Sequence, residues 1–332
     1  MPQSPAQTHD VVAIGNAIMD VITSCDDAHL TAINATKGGM SLIDPQTAEH
    51  LSANLGDHTV VSGGSAANTA AGIASLGGKP RFIGKVGNDA LGAHYAKDLL
   101  DTGVKFTSIP LQDGPPTGRC LVYVTPDGER TMMTLLGAAQ HLSPDDIYED
   151  DIASAQITFL EGYLFDPEEA KRAFAKAAAF AKTHSRKVAL TLSDTFCVHN
   201  HRDGFEALIQ SQVDILFANE AEMKALAQTD DLTAALQHAQ SLCPVVVVTR
   251  SEQGSVVFDH GATTEIHAVA VPKVVDTTGA GDLYAAGFLY GLARGKPMAE
   301  CGHIASVAAA EVISHYGARP EVKLDGLLKT PA

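Results

Sequence analysis

Three stretches of this sequence place small residues, amides and carboxylates where a chain passes from a strand into a helix. The richest is VVDTTGAGDLYAAGFLYGLARG, residues 274–295. A β-branched run ends at Asp276, then Gly279, Ala280 and Gly281 follow, and Asp282 opens a helical pattern. Three small residues let backbone N–H groups converge on a ligand without side-chain obstruction, and a helix start adds the positive end of its dipole. Such a place can receive a phosphate or a developing phosphoryl charge, with Asp282 at hand as a base. The same letters also describe a plain strand–turn–helix junction, where an acid in the first turn is favoured for structural reasons alone.

The second stretch is VVSGGSAANTAAG, in which Gly63 and Gly64 precede a helix carrying Ser65 and Asn68. Paired glycines permit a close backbone approach to a ligand, and Asn68 offers a donor and an acceptor suited to hydroxyls. A turn with a surface Asn is the alternative. The third is FANEAEM, with Asn219 and Glu222 three apart at a strand end and helix start. An amide and a carboxylate on one helix face suit a hydrated Mg²⁺. An Asn cap with an acid at the third helical position is equally natural.

Several familiar motifs are absent. No G-x-x-x-x-G-K-S/T run occurs, so there is no Walker A loop. A dinucleotide fingerprint starting at Gly279 would need glycine where Tyr284 stands. HRDGF, from His201, imitates a protein-kinase catalytic loop, but Leu208 replaces the required Asn and no V-A-I-K or D-F-G accompanies it.

The elements that must position these residues read as α/β. From about residue 155 strands and helices alternate: QITFLEG, the helix PEEAKRAFAKAAAFAKTH, KVALTLS, a helix from near His199, VDILFAN, a helix from Glu220, then CPVVVVT. The apolar runs are continuous, as expected for parallel strands covered on both faces. Earlier, HDVVAIGN and RFIGKVG read as strands, and SAANTAAGIASLG and DALGAHYAKDLLDTG as helices. Two segments break the alternation: IMDVITSCDD…KGGMSLID, and the stretch around CLVYVTPDGERTMMTLL. TPDGER is a plausible hairpin turn. Both segments read as antiparallel strands of a small protruding sheet, the usual material of lids.

Composition narrows the class. Hydrophobic residues make up 45% and charged residues 19% of the 332, enough for a well-filled core. No window reaches 18 uninterrupted apolar residues, so no membrane span is expected. The net charge of −16 would repel a polyanion, which argues against macromolecular nucleic acid as a partner. Five scattered cysteines form no C-x-x-C pair and are an odd number for a disulfide framework. The start, MPQSPAQTHD, is polar and is read as a frayed tail rather than a secretory signal. A cytoplasmic protein is expected.

In chain order, the Gly-Gly helix start, Asn-x-x-Glu after a strand, and DTTGAGD resemble the ribokinase/PfkB family of carbohydrate and nucleoside kinases. The matches run from Gly15 to about Pro320, and DTTGAGD is the most specific of them. The resemblance implies a ribokinase-like α/β fold: a three-layer sandwich with a mostly parallel central sheet and a small β-lid. One kinase domain would span 1–332, with lid segments at about 17–62 and 105–137. It further implies that Asp282 is the general base and that the amides of Gly279, Ala280 and Gly281 form the anion hole. Arg130 would add charge over the phosphates. Asn16, Asp20, Gly63, Gly64, Ser65 and Asn68 would hold the acceptor, and Asn219 and Glu222 would organise Mg²⁺ through water. Thr249 and Gly254 match the family's T-x-G-x-x-G nucleotide loop, although Ser251 stands where its first glycine is expected. ATP and Mg²⁺ are the implied cofactors, with K⁺ as a further candidate, in a monomer or homodimer.

Within the family, GNAIMD, PPTGRC, EGYLF, TLSDTF and QVDILFANEAE resemble the adenosine-kinase branch, as does the Ser of GGSAAN. The expected reaction is transfer of the ATP γ-phosphate to a nucleoside's primary hydroxyl, adenosine giving AMP. Tyr163, Leu164 and Phe165 could stack on a base or belong to the core. The alternatives are a kinase for ribose, fructose or ketodeoxygluconate on the same scaffold, and a non-catalytic ligand sensor.

Overall fold

The computed structural model describes residues 7–328; the first six residues of the expected N-terminal tail lie outside that range. From His9 the chain is already in its first strand. Nine strands form the large sheet, ordered from one edge as Ala262–Ile266, Ser255–Asp259, Val245–Thr249, Ile215–Asn219, Lys187–Thr191, Ala155–Glu161, His9–Ile14, Pro80–Ile83 and Lys105–Phe106. All neighbours pair parallel except at the first edge, where Val245–Thr249, Ser255–Asp259 and Ala262–Ile266 turn antiparallel. Alternate residues of His9–Ile14 enter opposite cores. Val11 and Ala13 pack with helices Ser65–Ser75, Ala280–Ala293 and Met298–Val312, while Val12 and Ile14 pack with Glu168–Thr183 and Thr195–Gln212. Helices on both faces explain why the strand sequences are apolar without alternation.

A second sheet of five strands runs Met40–Leu42, Arg130–Leu135, Gly118–Val124, Ile18–Ser24, His58–Gly63. Its strands come from 18–63 and 118–135, whereas Lys105–Phe106 extends the large sheet beside Arg81 and Phe82. The TPDGER turn does join an antiparallel pair, closed by Thr125 N–H to the Glu129 carbonyl at 3.0 Å. Two other pairings are parallel, Ile18–Ser24 with Gly118–Val124 and Met40–Leu42 with Arg130–Leu135. The purely antiparallel expectation fails there because the partners lie 100 and 92 residues apart in the chain, far beyond a hairpin's reach. Helices Asp27–Ala32 and Pro45–Ala53 supply Leu30 and Leu51 to a small core on the outer face of this sheet.

Two local readings change. The helix expected near His199 starts at Thr195, because the Asp194 carboxylate caps it, accepting from Phe196 N–H at 2.7 Å. The β-branched run before Asp276 belongs to neither sheet; Val274 is 52% exposed, and Val275 N–H donates to the Ile313 carbonyl at 2.8 Å. Among the described residues no helix is long and apolar enough to cross a membrane.

Candidate active site

The site assembles where helix starts meet the C-terminal ends of parallel strands, the usual crevice of an open α/β sheet. Gly64 caps helix Ser65–Ser75 with φ of 97°, and a Cβ there would stand 2.1 Å from the Asn16 carbonyl oxygen. Only glycine lets these backbones touch. Gly279 caps helix Ala280–Ala293 with φ of 79°, and its added Cβ would meet the Ala318 backbone at 2.7 Å. This second helix is seated firmly. Leu283, Phe288 and Leu289 are fully buried, each worth about 1.5–3 kcal/mol, and Phe288 stands edge-on to Phe217 at 5.6 Å between ring centroids.

That seating brings the two glycine-led helices into register at Asp282. Ser65 Oγ donates to Asp282 Oδ1 at 2.6 Å, and Asn68 Nδ2 donates to Oδ2 at 3.0 Å. Thr69 Oγ1 donates to the Asp282 carbonyl at 3.1 Å. Burial pushes the Asp282 carboxyl above its ordinary range, opposed by the hydrogen bonds from Ser65 and Asn68. Around it, the Ala280 N–H is engaged by the Thr277 carbonyl at 3.2 Å. The expected three-amide anion hole is therefore reduced: among the described residues, the Gly279 and Gly281 N–H groups have no protein acceptor, and the turn itself consumes that of Ala280.

The lid contributes from above. Ile18, Asp20 and Ile22 share one face of their strand, and a Cβ on Gly63 would lie 2.4 Å from Asp20 Oδ2. Burial pushes Asp20 up to about 6, moderated by the charges of Arg319 and Arg130. Arg130 is not free above the cleft. It pairs with Asp276 Oδ2 and lies 3.3 Å from Thr278 Oγ1, which latches the lid to the glycine turn. Asp276 is held below its ordinary range although burial works the other way, because Thr278 and the Gly317 N–H hydrogen-bond to it.

Asn219 and Glu222 form a complete capping box. Asn219 N–H and Nδ2 donate to the carboxylate at 3.0 and 2.6 Å, and Glu222 N–H donates back to Asn219 Oδ1 at 2.8 Å. Burial pushes Glu222 up to about 7. Each carboxylate oxygen keeps a lone pair beyond those bonds, so the capping box leaves acceptors that would suit a hydrated Mg²⁺. Thr249 lies beside Asn219 in the sheet. After it, Ser251 takes φ of 51°, a left-handed backbone that glycine adopts without strain, and Gly254 N–H closes the turn on the Ser251 carbonyl at 3.0 Å. Thr249 and Gly254 make no hydrogen bond to Asp282. The next residue, Ser255, ties their turn to the Asp282 helix through Tyr284 Oη at 2.5 Å.

Three participants escaped the reading by motif. Glu161 ends a buried strand, and its carboxylate accepts from Asn16 N–H, Asn16 Nδ2 and Ala66 N–H at 3.1, 2.8 and 2.8 Å. Its signals were an acid closing an otherwise apolar run and its place at the head of EGYLF, neither of which assigned it a role. Arg319 and Asp98 lie in an irregular segment and on a helix surface, and neither carries a periodic or motif signal. Burial pushes Glu161 up to about 7 against those donors. A carboxyl raised in the folded state stabilises the fold below its unfolded value and loses that contribution as pH rises through the folded one. The Glu161→Gln penalty should therefore be larger at pH 5 than at pH 7.5, as read from denaturant midpoints. Equal penalties at both values would show that Glu161 does not titrate in this window.

A model of the family described as pfkB family carbohydrate kinase matches residues 8–323. The chain belongs to this family. Among solved structures, adenosine kinase from Sinorhizobium meliloti is 46% identical with a TM-score of 0.90, covering 97% of this chain and 98% of that one. A probable sugar kinase from Rhizobium etli CFN 42 is 44% identical with the same TM-score of 0.90, covering 97% and 98%. The adenosine kinase of Saccharomyces cerevisiae is 26% identical over 315 residues, 88% of this chain and 91% of its own. As a pfkB-family member the chain has the ribokinase-like fold and is a phosphotransferase acting on a hydroxyl group. The family implies ATP as donor and usually Mg²⁺. The sensor alternative is set aside.

Proposed function

We propose that this pfkB-family kinase phosphorylates adenosine on its primary hydroxyl. Apart from the likeness to adenosine kinases, the reading is carried by the lid face around Asp20. Ile18, Cys120 and Val122 are buried there in one apolar cluster with Ile22, Val124 and Met132 packed beside them. A free sugar bristles with hydroxyls that such a wall cannot satisfy, whereas a nucleoside offers a flat base to it and a ribose to Asp20. Asp282 takes the proton from the acceptor hydroxyl. The freed oxygen attacks the γ-phosphorus, the bond to the β-phosphate oxygen breaks, and ADP leaves. The Gly279 and Gly281 amides face the transferring group, and positioning and charge neutralisation dominate the barrier. Mg²⁺, held through water by Glu222 and Asn219, would neutralise phosphate charge when bound.

The likeness to a probable sugar kinase, and to 5-dehydro-2-deoxygluconokinases at 27–29% identity, supports a second reading, a sugar or sugar-acid acceptor. The test is Mg·ATP consumption with adenosine, inosine, ribose, fructose and ketodeoxygluconate, each with and without K⁺. Turnover is expected with adenosine, and kcat/KM for any free sugar should fall at least about 100-fold below it. Turnover confined to sugars would overturn the nucleoside assignment.

A further inference from the structure

Arg319 lies in the irregular segment after helix Met298–Val312, and no role assigned above needs it. Its guanidinium reaches into the site. Nε donates to Asn68 Oδ1 at 3.2 Å, and Nη1 donates to Ser62 Oγ at 2.6 Å and lies 3.4 Å from Asp98 Oδ2. Asn68 is itself buried, and its other end donates to Asp282 Oδ2 at 3.0 Å. The two ends of an amide differ: the oxygen accepts and the nitrogen donates. A guanidinium has only donors, so only the Asn68 oxygen can face it. The nitrogen is thereby left to Asp282. The flipped amide would set two donors together at Arg319 and an oxygen against the carboxylate. Asp98 anchors the arrangement from behind, taking the Ser62 N–H at 2.9 Å and pairing with the Ser62 hydroxyl.

We propose that Arg319 is a positioning residue for the base: it locks Asn68 in the one orientation that hydrogen-bonds the Asp282 carboxylate, keeping it aimed and ionised. The inference rests on reading Asp282 as the base. The other titratable groups that feel this carboxylate are Asp20 on the lid strand, Glu161 at the end of its strand and Tyr163 just beyond it. Burial favours a protonated Asp282, and the donors from Ser65 and Asn68 oppose it; of these two, Asn68 is the one whose orientation Arg319 sets. Arg319 Nη2 is buried without a protein partner among the described residues, so the group is not fully spent on internal bonds, as a purely structural arginine's would be.

The experiment is the pH dependence of kcat with Mg·ATP and adenosine, or with the sugar that the acceptor panel selects. Arg319→Met should lower kcat by about 10- to 100-fold, as for other small misplacements of a reacting group, while KM for ATP stays unchanged. The acidic limb of its profile should move up by about half a unit to one unit, the equivalent of one lost hydrogen bond. Arg319→Lys, which keeps a donor for Asn68, should restore most of that limb. Wild-type kcat and limb in Arg319→Met would overturn the proposal, and so would a fallen kcat with an unmoved limb. Should Arg319→Met fail to fold, Asp98→Asn loosens the same guanidinium from behind; a smaller shift of the same sign is expected, and no shift counts against the proposal. Asp282→Asn separates the two readings. Full activity there removes the base itself, whereas lost activity there with wild-type behaviour in Arg319→Met removes only the role of Arg319.

Discussion

Asp282→Asn will fold, bind ATP and acceptor, and lose about two to four decades of kcat. A positioned base contributes about 10²–10⁴-fold, which corresponds to roughly 2.7–5.4 kcal/mol of barrier. The local hydrogen bonds explain why the loss should fall on kcat alone. The new amide can turn its oxygen to Asn68 Nδ2 and its nitrogen to Ser65 Oγ, since a hydroxyl accepts as readily as it donates. Arg319 keeps Asn68 from having to flip. The substitution also removes a carboxyl that burial disfavours in its charged form, so the thermal midpoint should equal or exceed that of the wild type. Steady-state kinetics with calorimetric titration of ATP checks both halves. A kcat within threefold of wild type, with binding intact, would falsify the base assignment.

The parts legible in the sequence are those with a period or a spacing. Continuous runs such as VALTL and PVVVV announced strands covered on both faces, and they form the middle of the large sheet. Glycines followed by a helical pattern marked the two helix starts that meet at Asp282. Asn-x-x-Glu was legible in its structural sense: the capping box is fully formed, and any Mg²⁺ role uses only the lone pairs left over. Other features depend on contacts between segments far apart in the chain. The lid's parallel pairings join residues brought together only by the fold. Val274 and Val275 read as strand by composition, yet Val274 is exposed and Val275 bonds to a helix end at Ile313. Glu161, Asp98 and Arg319 act through residues 36 to 251 positions away, a distance over which local patterning carries no information. Ser251 shows the reverse case, a motif departure at which the backbone holds serine in a left-handed conformation usually left to glycine.

The glycine turn yields the second large effect, because its two glycines serve for different reasons. Gly279 sits at φ of 79° against the Ala318 backbone, so Gly279→Ala introduces both a left-handed alanine and a clash that no side-chain rotation relieves. Strain of that kind costs about 1–3 kcal/mol before the overlap is counted, so stability and activity should fall together. Gly281 is different. It is exposed in the first turn of the helix, and a Cβ there meets nothing within 4 Å. Gly281→Ala therefore should leave the fold intact or raise its stability by up to about 1 kcal/mol, as alanine favours a helix. Its methyl would nevertheless occupy the open ground beside the amides that have no protein acceptor among the described residues, where the proposed anion hole would receive the transferring phosphoryl group. Losing one such donor contact costs about 10²–10³-fold in kcat. Gly281→Ala is thus expected to be as stable as wild type and at least about 100-fold slower, and Gly279→Ala both unstable and slow. Thermal unfolding beside steady-state kinetics reads the pair. A fully active Gly281→Ala would mean that phosphate does not approach this turn, and the anion-hole reading would have to be abandoned even if Asp282 kept its role.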